Sequence, residues 1–353
     1  MKWKLWMVIC VVLVGLYYLA PSLVVGALAE QYLQPERMPL KSSPESYGLG
    51  YQNVAFESAE DQVKLRGWLI QSKEQNRRIV IFAHGYSENR ESAQVALQMA
   101  RALNAKGIAS LLFDFRGAGQ SGGNETSFGY YERNDLLGAI AYAKRLGYEQ
   151  IGLVGFSMGA ATALDIAPQF REVKAVVADS PYAKLDSYLR DNMEKLSPLP
   201  YVKIHPDVVL LEARLLTGIK PEDVQPIRSI QEMEHQAVFL IHAKRDPVIP
   251  YTESLKLKEA STAKETKLWI CDTDQHVGTY NTDPHKYVAE TVEFLTSYLP
   301  VNPHDKLVQV RLDKRKAGEP MTSFEVSQRR REAVLEKEGV AIRKTSGAVK
   351  MGQ

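Results

Sequence analysis

The chain has little cysteine and almost no net charge, and both shortages exclude classes of protein. Only Cys10 and Cys271 occur among the 353 residues, and Cys10 lies in an apolar run near the N-terminus. The rest of the chain therefore has no pair for a disulfide, and it shows no Cys/His spacing of the zinc-binding kind. The formal net charge is only +2, which gives no reason to expect a nucleic-acid partner. We expect no metal and no organic cofactor.

Charged residues are also missing from one long segment, residues 5–29. A helix of these 25 residues would be roughly 37 Å long, which exceeds the ~30 Å hydrocarbon core of a bilayer. Lys2 and Lys4 precede the segment and predict that residues 1–4 stay in the cytoplasm, with the remainder extracytoplasmic. The alternative is secretion after cleavage near Ala29, where an A-x-A-like sequence ends. We expect a single-pass anchor in the cell membrane.

The remainder divides by composition into a linker, a globular domain and a tail. Residues 30–50 contain three prolines and are predicted to be a linker. In residues 51–300, short apolar runs alternate with helical periodicity, which predicts a mostly parallel sheet of about eight strands covered by helices, opening with an antiparallel hairpin. Residues 301–353 hold more basic than acidic residues and are predicted to be a charged extension. We expect a monomer.

The sequence around Ser157 is the strongest functional signal in the chain. A buried strand ends in Gly155-Phe156-Ser157-Met158-Gly159, and a helix-compatible run follows at once. This is the nucleophile-elbow pattern, a sharp strand-to-helix turn with serine at its apex. Strand and helix come so close in such a turn that the positions of Gly155 and Gly159 require glycine. Ser157 is therefore the candidate nucleophile.

Further motifs follow the other predicted strands, where the carboxyl ends of a parallel sheet form its active edge. These are His84-Gly85-Tyr86, Asp114-Phe115-Arg116-Gly117, Asp246-Pro247-Val248-Ile249-Pro250 and Gln275-His276. With the elbow they resemble the α/β-hydrolase superfamily, specifically its serine-aminopeptidase-like (S33-type) branch of membrane-anchored bacterial hydrolases, from about residue 51 to 299. The resemblance implies an α/β-hydrolase fold with a small helical lid. It carries little information on the substrate.

A serine hydroxyl needs a base and an orienting acid. His276, in the loop after the last strand, is the predicted base, because the order Ser, acid, His is typical of this fold. Asp246 is the predicted acid, and Asp179 at the end of another strand is the alternative. His242 is interpreted as a core histidine, and the remaining histidines other than His84 are interpreted as surface residues.

The backbone N–H of Met158, the residue after the nucleophile, is one predicted oxyanion donor. The N–H of Tyr86 is the second, which the resemblance implies for the loop that contains His84. Arg116 is interpreted as structural, with a substrate role as the alternative. Residues 181–234 are more than one crossover needs, and the fold predicts that they form the lid. Leu199 and Tyr201 in it are candidate substrate contacts, or else packing between lid and core.

These features predict a serine hydrolase that cleaves an ester, or less readily an amide, through an acyl-enzyme. A small-molecule or lipid-like acyl compound is the expected substrate. The first alternative is an aminopeptidase-like peptidase, although no acidic cluster for a peptide amine is visible. The second is a membrane-tethered binding protein that has lost turnover on the same fold, which the presence of Ser157, Asp246 and His276 disfavours. Ser157 also argues against an aspartate-nucleophile dehalogenase.

Overall fold

The computed structural model describes residues 32–301 except 73–75, 93–94 and 197–205, together with Trp3, Trp6, Met7 and Gly26. Within that part of the chain, no helix is both long enough and apolar enough to cross a membrane. The predicted span at residues 5–29 lies outside the described residues except at three of those isolated positions, and so does the predicted extension after Val301. Both remain predictions.

One eight-stranded sheet forms the centre of the described part. Its strands are β1 (Gln52–Glu57), β2 (Lys64–Ile70), β3 (Arg78–Ala83), β4 (Ala109–Asp114), β5 (Gln150–Phe156), β6 (Val173–Asp179), β7 (Ala237–Ala243) and β8 (Glu265–Cys271). Their order in the sheet is β1-β2-β4-β3-β5-β6-β7-β8. β2 pairs antiparallel with β1 and β4, and every other pair is parallel. The predicted hairpin and mostly parallel sheet are confirmed.

Helices connect the strands and cover the sheet. They are α1 (Val95–Ala105), α2 (Glu132–Arg145), α3 (Met158–Ile166), α4 (Leu185–Leu196), α5 (Pro206–Thr217), α6 (Pro226–Ser229), α7 (Thr252–Ala260), α8 (Thr279–Thr282) and α9 (Pro284–Tyr298). Single 3₁₀ turns lie at Pro44–Tyr47, Ala167–Gln169, Pro221–Asp223 and Ile230–Glu232. α4 and α5 lie in the segment between β6 and β7, where the sequence predicts a lid.

The central strands are buried on both faces, which explains why they read as unbroken apolar runs. All six residues of β3 are buried. Ile79 and Ile81 pack into the core on one side of the sheet, whereas Val80 and Phe82 pack into the core on the other. This alternation fixes the register, because a shift by one residue would exchange the two faces. The carboxyl ends of β3, β5, β6, β7 and β8 are thereby aligned at one edge of the sheet.

Candidate active site

Ser157 lies at the strained turn between β5 and α3. Its φ of 52° and ψ of −116° are values that a non-glycine residue rarely adopts. A Cβ at Gly155 would lie 2.3 Å from the Gly159 carbonyl oxygen, and one at Gly159 would lie 2.2 Å from that of Ala83. Only glycine fits at either position, as the elbow pattern predicts. The turn therefore presents the serine at the apex, beside the first N–H groups of a helix.

An unbroken line of hydrogen bonds joins the three predicted residues. His276 Nε2 lies 2.8 Å from Ser157 Oγ, and His276 Nδ1 lies 2.7 Å from Asp246 Oδ2. Ser157 lies at the elbow, Asp246 in the loop after β7 and His276 in the loop after β8. The sheet edge thus brings together side chains that are more than a hundred residues apart in the chain. Val277, directly after the histidine, has a φ of 55°, a strained value for a β-branched residue.

The loop after β7 holds the Asp246 carboxylate in place. Its Oδ1 accepts hydrogen bonds from the backbone N–H groups of Val248 at 2.8 Å and Ile249 at 3.0 Å. Burial alone would raise the pKa of Asp246, but the hydrogen bond and charge of His276, with these two N–H groups, outweigh burial and lower it. The carboxylate therefore stays ionised and aimed at the imidazole Nδ1–H.

His242 supports this loop from beneath. Its side chain is fully buried, its Nδ1 lies 2.7 Å from Ser254 Oγ, and its Nε2 lies 2.9 Å from the Ile249 carbonyl oxygen. Because that carbonyl can only accept, Nε2 carries the proton and donates it, and Nδ1 accepts from the serine. Burial also lowers the pKa of His242, which keeps the ring neutral. The interpretation of His242 as a core histidine is confirmed.

Asp179, the alternative acid, points elsewhere. Its carboxylate accepts hydrogen bonds from Tyr287 Oη at 2.8 Å and Ser180 Oγ at 3.0 Å, and no hydrogen bond to His276 is found among the described residues. Complete burial raises its pKa to about 6 and outweighs these hydrogen bonds and the nearby imidazole, while the charge of Asp246 raises it further. Of the two carboxyl groups, the one on Asp246 contacts the histidine.

The raised pKa of Asp179 predicts that removing its charge stabilises the fold at high pH. In the folded state the Asp179 carboxyl keeps its proton up to about pH 6, whereas in the unfolded chain it loses the proton near pH 3.8. Ionised Asp179 therefore destabilises the fold above about pH 6, and below pH ~4 the carboxyl is neutral in both states and has no such effect. Asp179→Asn should raise the free energy of unfolding at pH 8 by roughly 1–3 kcal/mol, and the gain should vanish at pH 4. Urea unfolding at pH 8, 6 and 4 measures this. Asp246→Asn is the contrast, because its lowered pKa predicts a loss at pH 8. A gain for Asp179→Asn that grows as the pH falls would contradict the prediction.

The predicted oxyanion donors border the same space as Ser157. Met158 is the first residue of α3, so its N–H has no acceptor within the helix. Tyr86 lies in the loop after β3, which packs against the elbow. No acceptor for its backbone N–H is found among the described residues. Both residues line one cavity with Ser157.

His84 orients the Tyr86 N–H through the intervening peptide. His84 Nε2 accepts the backbone N–H of Phe115 at 2.9 Å, so its Nδ1 carries the proton and donates it to the Gly85 carbonyl at 2.7 Å. That carbonyl and the Tyr86 N–H belong to one planar trans peptide and point in opposite directions. Fixing one therefore fixes the other. The sequence indicates that His84 shapes this loop, but the partner that sets its tautomer lies 31 residues away.

Arg116 connects three segments of the fold through hydrogen bonds of its side chain. Its guanidinium donates to Asp135 at 2.7 Å, to Asp61 at 2.6 Å and to Ser58 Oγ at 3.0 Å. These bonds fasten the loop after β4 to α2 and to the turn between β1 and β2. Arg116 is also absent from the lining of the Ser157 cavity. The structure therefore favours the predicted structural role over contact with a substrate.

A cavity of about 340 Å³ opens beside Ser157. Its wall is formed largely by aromatic and aliphatic side chains: Tyr32, Leu33, Tyr86, Ser127, Phe128, Ser157, Met158, Tyr182, Leu185, Tyr188, Leu189, Val209, Leu210, Ala213, Thr217, Ile219, Pro221, Val248 and Ile249. None of these residues carries a charge. A cavity of this size and character suits an apolar ligand group. The predicted contacts Leu199 and Tyr201 lie outside the described residues.

Part of this wall comes from the segment that the sequence predicts to be a linker. The Tyr32 carbonyl accepts the Tyr86 hydroxyl at 2.8 Å, and the Leu33 carbonyl accepts the Thr126 N–H at 2.7 Å. The Arg37 guanidinium donates to the carbonyls of Ser121 at 2.6 Å and Gly119 at 3.2 Å. Sequence periodicity gives no signal for such contacts, which join residues more than 50 positions apart.

The chain is similar in sequence to known proteins. The family model "serine aminopeptidase, S33" matches residues 74–236. The uncharacterized protein YqkD of Bacillus subtilis (strain 168) is 32% identical over 189 residues, which cover 52% of this chain and 61% of that protein. Lysophosphatidylserine lipase ABHD12 of Danio rerio is 22% identical over 242 residues, which cover 67% of this chain and 59% of that protein. The chain thus spans less than two thirds of the length of both relatives.

A solved structure extends the comparison to most of the chain. The Pyrococcus furiosus esterase Pf2001 superposes with a TM-score of 0.61 and 27% identity, over 75% of this chain and 100% of the esterase. With the eight-stranded, mostly parallel sheet, this likeness establishes the α/β-hydrolase fold. The matched family model and two of these relatives carry the names of a peptidase, an esterase and a lipase, all of which are hydrolases.

Proposed function

We propose that the protein is a serine hydrolase that cleaves carboxylic esters of apolar acyl groups. The observation that carries the proposal is the line of hydrogen bonds from Asp246 through His276 to Ser157, which ends on the wall of an uncharged cavity. Asp246 holds the imidazole with Nδ1 protonated, which leaves Nε2 free to accept the serine proton. In this proposal Ser157 is the nucleophile, His276 the base and Asp246 the orienting acid.

The reaction then has two halves. Ser157 Oγ attacks the ester carbonyl carbon while His276 Nε2 takes the hydroxyl proton, and the Met158 and Tyr86 N–H groups hold the oxyanion. The C–O bond to the alcohol breaks as His276 returns the proton to the leaving oxygen, which leaves an acyl-enzyme. A water molecule, deprotonated by His276, attacks the acyl carbon. The acid leaves and Ser157 regains its proton.

The uncharged cavity supports an apolar acyl group over a peptide. Binding an N-terminal peptide amine calls for a carboxylate, and none lines the cavity among the described residues. The family model's name, serine aminopeptidase, favours a peptidase as the second candidate. The names of the esterase Pf2001 and of lysophosphatidylserine lipase ABHD12 favour esters. Ester cleavage also needs less protonation of its leaving group than amide cleavage does.

We also propose that residues 5–29 anchor the chain in the cell membrane, with residues 1–4 cytoplasmic and the hydrolase domain extracytoplasmic. The support is the absence of charge over 25 residues and the two lysines before them. Secretion after cleavage near Ala29 is the alternative. The same topology is expected of the membrane-anchored branch of hydrolases that the motifs resemble.

Labelling by a fluorophosphonate tests the reaction class. The probe reacts with an activated serine, so the full-length protein should be labelled, and Ser157→Ala should not be. A folded wild-type chain that stays unlabelled and cleaves no ester would point instead to the binding-protein alternative. Cleavage of aminoacyl amides in preference to esters would favour the peptidase.

A chain-length series tests the acyl cavity. Ala213 lines the cavity, so Ala213→Trp should fill part of it and lower kcat/KM for p-nitrophenyl esters of long acyl chains by roughly tenfold or more, as one buried side chain's contact is worth 1.5–3 kcal/mol. Acetate esters should be unaffected. Leu255→Trp on α7 is the control, since Leu255 is 41% exposed and does not line the cavity. Equal losses on short and long esters would place the acyl group elsewhere.

A further inference from the structure

An apolar surface lies on the outer side of α5, next to the cavity. Leu211, Leu215 and Leu216 are 57%, 75% and 59% exposed, respectively. Other residues of the same helix, Val209 and Leu210 among them, line the cavity. The helix is therefore apolar on both sides, which is unusual for a helix at a protein surface in water. We call these three leucines the leucine rim.

Two charged residues of α5 near the leucine rim form ion pairs within the protein. Arg214 forms an ion pair with Glu222 on the next turn of chain, and Asp207 pairs with Arg190 of α4 at 2.7 Å. These pairs lower the cost of bringing the helix against a medium less polar than water. The cavity mouth adds to the apolar surface, since Val248 lines the cavity and is 42% exposed.

The chain itself limits how far this surface can lie from the proposed anchor. The uncharged run ends at Ala29, and Tyr32 lies three residues later. Three residues span at most roughly 11 Å. Tyr32 is fixed to the body of the domain by the hydrogen bond from Tyr86, and it lines the same cavity as residues of α5. An anchored chain therefore keeps the cavity wall within about 11 Å of the end of its membrane span.

We propose that the leucine rim inserts into the surface of the lipid bilayer that holds the anchor, so that the cavity receives acyl chains directly from the membrane. The inference rests on the proposed ester substrate and the proposed anchor. A second copy of the chain is a weaker occupant, because a stable protein interface uses roughly 20–30 residues on each side and the rim offers three leucines of one helix. A bilayer needs no complementary surface, and leucine is a favourable residue there.

Fluorescence quenching in vesicles tests the contact. The full chain, with Cys10→Ser and Cys271→Ala, is reconstituted into phosphatidylcholine vesicles, and an NBD label is placed at Leu211→Cys. Val301→Cys is the matched control, because Val301 is 58% exposed and lies near Leu299, whose carbonyl accepts Arg78 at the opposite edge of the sheet. Phosphatidylcholine brominated on its acyl chains should quench the label at position 211 and not at 301. Equal quenching at both positions, or none at 211, would overturn the proposal.

A paired activity measurement separates this proposal from the proposed function. Leu215→Glu should lower hydrolysis of a long-chain ester dissolved in the vesicles by roughly tenfold, which is the effect of losing one leucine's burial. Hydrolysis of a water-soluble acetate ester should stay at the wild-type rate, as should both activities of Val301→Glu. Label self-quenching that depends on protein density would indicate a second copy and overturn the proposal. If the wild type cleaves neither ester, the proposed function fails, while the bromolipid result still decides the membrane contact.

Discussion

Replacing Ser157 with alanine should lower kcat for the preferred ester by about five to six orders of magnitude. The alanine keeps the elbow and the cavity but removes the oxygen that forms the acyl-enzyme, and the remaining groups give only the residual catalysis of binding and an oxyanion site. KM should change little, since Ser157 contributes one small group to a cavity of about 340 Å³. Steady-state kinetics on wild type and variant measure both constants.

Non-additivity gives the same prediction a second test. Residues that act as one unit lose nearly everything with the first substitution, so Ser157→Ala with His276→Ala should be no slower than Ser157→Ala alone. Ser187→Ala is the control, because among the described residues the Ser187 hydroxyl has one hydrogen bond, a long one of 3.4 Å to its neighbour Asp186. Its activity should equal that of wild type. A Ser157→Ala enzyme that retained a tenth of the activity would assign the nucleophile to another residue.

Replacing Asp114 with alanine should cost about 3–5 kcal/mol of the free energy of unfolding. Asp114 is 0% exposed, and its carboxylate accepts the guanidinium of Arg90, 1% exposed, at 2.6 Å. It also accepts the backbone N–H groups of Arg90 and Gln120, both at 2.8 Å. The alanine would leave a buried cation over the Trp68 ring without its counter-ion. The midpoint of urea denaturation measures the loss.

A surface pair provides the contrast. Glu149, 60% exposed, contacts Arg77, 33% exposed, and Glu149→Ala should cost about 1 kcal/mol or less. Asp114→Asn, which keeps an acceptor oxygen, should fall between the two and serves if the alanine variant does not fold. A loss for Asp114→Ala no larger than for Glu149→Ala would show that the buried pair adds nothing to stability.

Most of the sheet could be predicted from the sequence because strands that are buried on both faces are unbroken apolar runs. The buried strand predicted before Ser157 corresponds to β5, and the helix predicted directly after Ser157 corresponds to α3. Candidate site residues could be named because each lies in the turn or loop after such a strand, and parallel strands align their carboxyl ends. Ser157, Asp246 and His276 then meet at hydrogen-bonding distance.

The choice of the acid and part of the cavity wall could not be settled from the sequence, because both depend on contacts between distant segments. The sequence pattern indicated Asp246 as the acid and Asp179 as the alternative, since Asp179 ends a strand and Asp246 lies in the loop after one. Only the fold shows that the Asp179 carboxylate accepts a hydrogen bond from Tyr287. No sequence pattern indicated that Tyr32 closes one side of the cavity. Such side-chain contacts leave no periodic pattern, because they depend on the loop conformations and not on the period of a helix or strand.

The attachment of residues 32–42 changes where the folded unit begins. Tyr32 forms part of the cavity wall, Arg37 binds the loop after β4, and the Glu91 carboxylate accepts the N–H groups of Lys41 at 3.0 Å and Ser42 at 2.6 Å. A fragment that keeps every lining residue described here must therefore include residue 32, about twenty residues before the first strand. A fragment cut at residue 51 would begin at the sheet, and the cavity beside Ser157 would be open to water along the side that residues 32 and 33 line.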